Sequence, residues 1–245
     1  MRDMKITFIK HSCFSVELER HVLLFDYYGE GSLPEWDKNK TIYVLNSHKH
    51  ADHFNLCIFE LRDKYPDIHF FLGTDIRLSE RYLERNHVVI DRDKEITHLA
   101  KRITLSYEPE FTVRTLKSTD VGVAFVIQCE NVTIYHAGDL NWWHWEGESA
   151  AFNDAQKTNY QEEIAQLSGE CFDIAFVPLD GRLENAYYMG MDYFLQNVEV
   201  KKVFPMHMWD DFSYIARYKK EGYAGADKLV DIEEDGQVWT GLGET

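Results

Sequence analysis

The nine residues Asn46 to Phe54, NSHKHADHF, constrain this chain more than any other stretch of its 245 residues. They place three histidines and one aspartate within six positions. The apolar and β-branched run Thr41–Leu45 directly precedes them and predicts a buried strand. The polar cluster is therefore expected in the loop where that strand ends.

The spacing of these four side chains is typical of a metal site. In an extended loop alternate residues point the same way, so His48, His50 and Asp52 are expected to converge. His53 would reach in from the turn that follows. Imidazole nitrogens and carboxylate oxygens are the usual protein ligands of zinc and neighbouring metals, with bonds of about 2.0 to 2.2 Å. The alternative is a solvated histidine-rich loop without a metal.

Composition and charge narrow the classes of partner. The formal net charge is −16 with no basic stripe, which disfavours nucleic acid. No apolar run is long enough for a membrane span, and the N-terminal residues show no signal core, so we expect a cytoplasmic protein. The four cysteines form no CxxC pair and are expected to be reduced and mostly buried. Cys13 is predicted to pack in the core rather than act as a nucleophile.

The pattern of elements predicts one α/β domain over residues 1–245. Strands and then helices occur once in each half, which suggests two similar layers packed face to face. The predicted strands are 4–9, 13–18, 22–25, 41–45, 68–72, 103–107, 111–116, 121–128, 132–136, 174–177 and 202–204. The predicted helices are 55–64, 76–85, 154–167 and 191–197.

Three further polar residues stand at the ends of predicted strands. Asp139 follows Gly138 after one strand, and His207 follows another. Asp180 is a weaker candidate, for which a surface turn and a substrate-binding loop are equally plausible. Each residue alone is an ordinary turn or polar residue, but together with the histidine cluster they indicate one cleft at the sheet edge.

At this point the chain resembles the metallo-β-lactamase-fold hydrolases over nearly its whole length. His48, His50, Asp52 and His53 match the HxHxDH signature of that family. The turn 11–14 and the strand 23–26 are similar to the branch that includes ascorbate-6-phosphate lactonase. The segments 135–139 and 205–207 are similar to the parts that supply the bridging aspartate and the last histidine. The resemblance implies a four-layer αββα sandwich with metals at the edge between the sheets.

The resemblance also assigns ligands and shows one departure. It implies metal ligands at His48, His50, Asp52, His53, Asp139 and His207. The third histidine of the first metal site is missing, because Ser118 stands where the family has it. Either Asp120 or a nearby histidine such as His11 could substitute; otherwise the second site alone is complete. We expect zinc, or manganese or iron, at one or two ions per chain and fewer than two at full occupancy.

The leading functional hypothesis is a metal-dependent hydrolase of a small-molecule ester, lactone or phosphodiester that uses metal-bound hydroxide. Asp52 is the expected catalytic residue, as a ligand that also handles the proton. The alternative is a catalytically degenerate protein of the same fold that binds a ligand or partner. The cluster Trp142–Trp145 is predicted to cover the sheet edge or a dimer contact, or else to form a substrate-stacking wall. Arg182 and Lys117 are expected to be ordinary surface charges, with anchoring of an anionic substrate group as the alternative. The substrate and the oligomeric state do not follow from the sequence.

Overall fold

The computed structural model describes residues 4–86 and 95–241, which form two compact units with boundaries at Lys101 and Glu234. The first unit contains the chain up to Lys101 and the C-terminal residues from Glu234. The second unit contains the residues between them. Each unit is built on one mixed sheet with helices, so both belong to the predicted α/β class.

The first unit has a seven-stranded sheet with the order β13-β1-β2-β3-β4-β5-β6. Strands β13 to β3 pair antiparallel, and β3 to β6 pair parallel. The strands are β1 (Lys5–Lys10), β2 (Cys13–Glu17), β3 (His21–Phe25), β4 (Thr41–Asn46), β5 (Ile68–Gly73), β6 (Ile96–Leu99) and β13 (Val238–Thr240).

Burial explains why the middle of this sheet is parallel. All five residues of β3 are buried, and so are five of the six residues of β4. Parallel strands covered on both faces typically read as continuous apolar runs, as these do. Because β3, β4 and β5 run the same way, the residues that follow them lie at one edge of the sheet. The β1–β2 turn lies at this edge as well, because Phe14 pairs with Phe25.

The helices of the first unit differ from the prediction in type and extent. Leu56–Asp63 is a 3₁₀ helix, with the predicted cap Asn55 accepting from the backbone N–H of Cys57 at 3.0 Å. Helix α1 spans only Glu80–Arg85 and is capped by Ser79, so the predicted start near residue 76 is wrong. The Asp75 side chain, which resembles a cap signal in the sequence, instead accepts from the backbone N–H of Lys49 at 3.0 Å.

The second unit has a six-stranded sheet with the order β12-β11-β10-β9-β8-β7. Strands β7 to β10 form an antiparallel meander, and β10 to β12 are parallel. Each unit therefore changes from antiparallel to parallel pairing within one sheet. The strands are β7 (Thr104–Glu108), β8 (Phe111–Lys117), β9 (Val123–Cys129), β10 (Val132–His136), β11 (Cys171–Pro178) and β12 (Glu199–Met206).

Three α-helices belong to the second unit, and the last of them was not predicted. They are α2 (Ala150–Ala165), α3 (Met189–Asn197) and α4 (Ser213–Glu221). Short 3₁₀ helices span Gly181–Ala186 and Ala226–Lys228. Across the described residues, none of the helices combines the length and apolar character that crossing a bilayer requires.

The environments of the cysteines lead to a labelling prediction. Cys13 is fully buried, and burial raises the pKa of its thiol well above the ordinary value, whereas Cys171 is exposed. Because the thiolate is the reactive form, iodoacetamide should modify Cys171 in the folded protein and leave Cys13 unmodified. Peptide mass spectrometry measures both sites, with denatured protein as the control. Labelling of Cys13 at the rate of Cys171 would contradict its placement in the core.

Candidate metal centre

The HxHxDH segment lies in the first unit, at the edge where β3, β4 and β5 end. His48 and His53 are fully buried, while His50 and Asp52 are partly exposed. Two of the four side chains are therefore shielded from solvent, and the other two are accessible to it. An ion held here would be bound by the buried side chains and would be accessible to a small molecule on the side of the partly exposed ones.

Asp26, the residue that follows β3, fixes the orientation of His53. Its fully buried carboxylate accepts from the Ser47 backbone N–H at 2.6 Å and from the Ser47 hydroxyl at 2.8 Å. It also pairs with His53 Nδ1 at 2.8 Å. A carboxylate only accepts, so His53 carries its proton on Nδ1 and presents the lone pair of Nε2. Carboxylates orient metal-binding histidines in this way in known sites.

Ser47 fixes His48 by the same logic. The Ser47 hydroxyl donates to Asp26, so it accepts from His48 Nδ1 at 2.9 Å. His48 Nε2 therefore presents a lone pair, and it lies 2.9 Å from Nδ1 of His50. Adjacent ligands of an ion with bonds of about 2.1 Å lie about 3.0 to 3.4 Å apart. The two nitrogens are closer than that because His50 Nδ1 donates a hydrogen bond to His48 Nε2, so they would separate slightly to bind one ion.

Asp52 contacts two imidazoles of the first unit. Its Oδ2 lies 3.4 Å from His11 Nε2 and 4.0 Å from His53 Nε2. Burial alone would raise the pKa of Asp52, but the contact with His11 lowers the pKa well below the ordinary value. Asp52 is therefore ionised at neutral pH, as a metal ligand must be.

The second unit repeats the carboxylate–histidine pair. His207 follows β12 with φ of 62°, a conformation that few residues other than glycine adopt. Its Nδ1 pairs with Asp180 Oδ2 at 2.9 Å, and its Nε2 lies 3.4 Å from Asp139 Oδ1. Asp180 thus directs the Nε2 lone pair of His207 towards Asp139. This pairing was not predicted, because Asp180 was interpreted as a surface turn or a substrate-binding loop.

Asp180 is fully buried, and Arg182 neutralises it. Arg182 donates from Nε at 3.0 Å and from Nη2 at 2.6 Å. Burial raises the pKa of Asp180, but His207 and Arg182 more than offset this and lower the pKa below its ordinary value. The guanidinium also stacks on the Trp209 ring at 4.5 Å. Arg182 therefore has a structural partner and is not simply a surface charge.

Ser118 closes the β8–β9 turn. Its hydroxyl accepts from the Asp120 backbone N–H at 3.1 Å, and its own backbone N–H donates to the Gly122 carbonyl at 3.3 Å. This turn displaces the start of the next strand from the predicted residue 121 to Val123. A carboxylate oxygen of Asp120 lies within 4.8 Å of one of Asp139, so Asp120 is placed where it could supply a ligand.

The tryptophan cluster packs around His207 and Arg182. Trp143 is buried, donates to the Asp139 carbonyl at 3.0 Å and contacts the His207 ring edge-on at 5.5 Å. Trp145 stacks on Trp143 at 6.1 Å. Trp143 therefore lies against Asp139 and His207. The role of the whole cluster stays a prediction.

The donor atoms of both units fit a divalent metal. In each unit a buried carboxylate holds Nδ1 of a histidine, so that Nε2 faces other ligand-type atoms. His48 and His50 supply a second pair of nitrogens in the first unit. Imidazole and carboxylate donors in this arrangement suit zinc, manganese or iron.

Comparisons with known proteins identify the family to which the chain is similar. The family model described as "Beta-lactamase superfamily domain" matches residues 5–207. A curated relative, a UPF0173 metal-dependent hydrolase from Methanoculleus marisnigri, is 27% identical over 243 residues, covering 94% of this chain and 91% of its own.

Two solved structures are similar in fold. Igni18, described as a novel metallo hydrolase from the archaeon Ignicoccus hospitalis, has a TM-score of 0.63 at 18% identity and covers 97% of this chain and 98% of its own. The metallo-β-lactamase fold protein YhfI from Bacillus subtilis has a TM-score of 0.61 at 17% identity, with coverages of 98% and 100%. The predicted metallo-β-lactamase fold is confirmed. The closer resemblance to one branch of the superfamily stays a prediction.

Proposed function

Since the chain belongs to the beta-lactamase superfamily domain family, we propose that it is a metal-dependent hydrolase of a small molecule with an ester, lactone or phosphodiester bond. One observation carries the proposal: in each unit a fully buried aspartate orients a histidine towards other donor atoms. Burying a carboxylate is costly unless it has a specific partner, so two such pairs indicate a functional centre. The relative named as a metal-dependent hydrolase supports the same reading.

The proposed metal ligands include residues of each unit. Zinc is the first choice of ion, with manganese or iron as alternatives, at one or two ions per chain. Such an ion, when bound, supplies Lewis acidity and activates water for attack. The proposed ligands are His48, His50, Asp52, His53, Asp139 and His207.

The chain's own residues have distinct proposed roles. Asp26 and Asp180 hold the histidine tautomers through Nδ1. Asp52, ionised at neutral pH, is the proposed group that accepts and returns a proton at Oδ2 during hydrolysis. The partly exposed His50 and Asp52 mark the side from which a substrate enters. The net charge of −16 supports a small molecule over nucleic acid as the substrate.

A hydrolysis panel tests the proposal. Metal-free protein is loaded in turn with zinc, manganese and iron, and is assayed with carboxylic esters, lactones and phosphodiesters. We expect turnover that disappears with a chelator and returns with the metal. In the variant Asp52→Asn the rate should fall by a factor of about 100 or more while the fold is retained. The absence of metal-dependent turnover on every substrate would count against the proposal.

Ser118 favours a second candidate, a degenerate member that binds a ligand without catalysis. Its hydroxyl accepts a hydrogen bond in a turn and a serine is a poor ligand beside imidazole, so this candidate supposes that one metal position lacks a donor. We expect fewer than two full-occupancy ions per chain by elemental analysis. The variant Ser118→His should raise this number, with Ser118→Ala as the control. If the metal content of Ser118→His were unchanged, the absence of a histidine at this position would no longer support the second candidate.

A further inference from the structure

The β1–β2 turn brings a fourth imidazole, that of His11, to the three histidines of the HxHxDH segment. His11 occupies this turn with φ of 55°, which is uncommon outside glycine and fixes the direction of its side chain. The residue is only 6% exposed. A buried, conformationally constrained histidine at the edge where β3 and β4 end is therefore held in a defined position beside Asp52.

We propose that His11 is a metal ligand through Nε2, in one set with Asp52 and His53. The donor atoms of these three residues all lie within 4.8 Å of one another. His11 Nε2 and Asp52 Oδ2 are 3.4 Å apart, which matches the separation of about 3.4 Å between two ligands of a tetrahedral ion with bonds of about 2.1 Å.

A plain hydrogen bond explains this contact less well. N–H···O bonds in proteins measure about 2.7 to 3.2 Å, and the buried pair of His53 and Asp26 lies at 2.8 Å. The contact between His11 and Asp52 is longer, at 3.4 Å. This separation is close to the spacing of two ligands of one ion.

The assignment alters the expected distribution of ligands. The sequence presents His11 as a substitute beside His48 and His50, where one histidine is missing. The structure instead places His11 against the carboxylate of Asp52 and the ring of His53. His11 is thus an additional ligand beside Asp52 and His53, and it does not replace the histidine that is missing at Ser118. The inference rests on the metal centre of the proposed function.

Cobalt binding provides a test that does not depend on activity. The metal-free full-length chain is titrated with Co²⁺ alone, and affinity is measured by chelator competition and visible absorption. The variant His11→Gln should bind Co²⁺ at least about 100-fold more weakly, since loss of an outer-sphere partner alone costs about 10- to 100-fold. Circular dichroism and thermal unfolding confirm that it folds.

A cysteine substitution separates coordination from support. A thiolate is a good ligand, so His11→Cys should show a near-ultraviolet thiolate-to-cobalt charge-transfer band that the wild type lacks. His21 is the matched control, because it is also 6% exposed and stacks on Tyr43. The variant His21→Cys should show no such band, and His21→Gln should bind Co²⁺ like the wild type.

Two outcomes overturn the assignment. Wild-type affinity and spectrum in His11→Gln would show that the residue is not a ligand. Weakened binding in His11→Gln without a charge-transfer band in His11→Cys would show that His11 only supports Asp52. A spectrum that depends on His11 without turnover on any substrate would instead refute the hydrolase proposal and leave the ligand assignment standing.

Discussion

Replacing Asp26 with asparagine is expected to weaken metal binding by about 10- to 100-fold. The Asp26 carboxylate accepts from the Ser47 backbone, the Ser47 hydroxyl and His53 Nδ1. An asparagine carries a donating NH₂, which would face a donor in either orientation of the amide. If it faces His53, the imidazole must move its proton to Nε2 and lose the lone pair meant for the metal. Chelator competition measures the affinity.

The same substitution should lower the free energy of unfolding of the metal-free protein by about 1 to 3 kcal/mol, because a buried donor loses its acceptor. Urea denaturation measures this change. The matched control is Asp67→Asn, since Asp67 pairs with His69 at 3.1 Å but is exposed. The control should change neither quantity appreciably. Equal effects of the two substitutions would show that Asp26 has no special relation to the metal centre.

Replacing Asp180 with asparagine should have a comparable effect through the second unit. His207 would lose the acceptor that holds its proton on Nδ1, and metal affinity should fall by about 10- to 100-fold. Asp180 is fully buried, so stability should also fall by about 1 to 3 kcal/mol. Isothermal titration with Zn²⁺ and urea denaturation measure the two effects.

Arg182→Ala is the informative comparison for Asp180→Asn. It removes the neutralising cation but leaves the contact between Asp180 and His207 in place. Because the Arg182 side chain is partly exposed, its removal should reduce metal affinity less than Asp180→Asn does. An equal or larger loss of affinity in Arg182→Ala would mean that charge balance, and not the tautomer of His207, is the main contribution of Asp180.

Sequence patterns predicted the elements whose signals are local. The strand Val132–His136 has the predicted bounds, and Asn55 caps the helix that follows the histidine cluster. The short strand Ile96–Leu99 has only two apolar residues in four, and it was missed. The strand Val238–Thr240 has three residues and forms only by pairing with the other end of the chain, so no local pattern predicts it.

In the candidate site, too, residues with a local sequence signal were predicted and residues defined by long-range contacts were not. The histidines and Asp52 were identifiable because they lie within six positions. The two orienting carboxylates were not, because each lies 27 residues before its histidine and takes its role from that contact. Asp26 was noted only as the end of a strand resembling the family, and Asp180 was considered a turn. Long-range pairing of strands creates these roles, and it is not visible in the spacing of residues.

The position of β13 has a consequence for how the chain is made in the cell. This strand covers β1, with Ile6 opposite Trp239 and Thr7 opposite Val238. During synthesis β1 therefore emerges long before β13, the strand that covers its outer side. An uncovered strand edge is a template for pairing with other chains. The nascent protein thus carries an open edge until Val238–Thr240 has been synthesised, and a gene cut before the codon for Val238 would leave that edge of β1 uncovered.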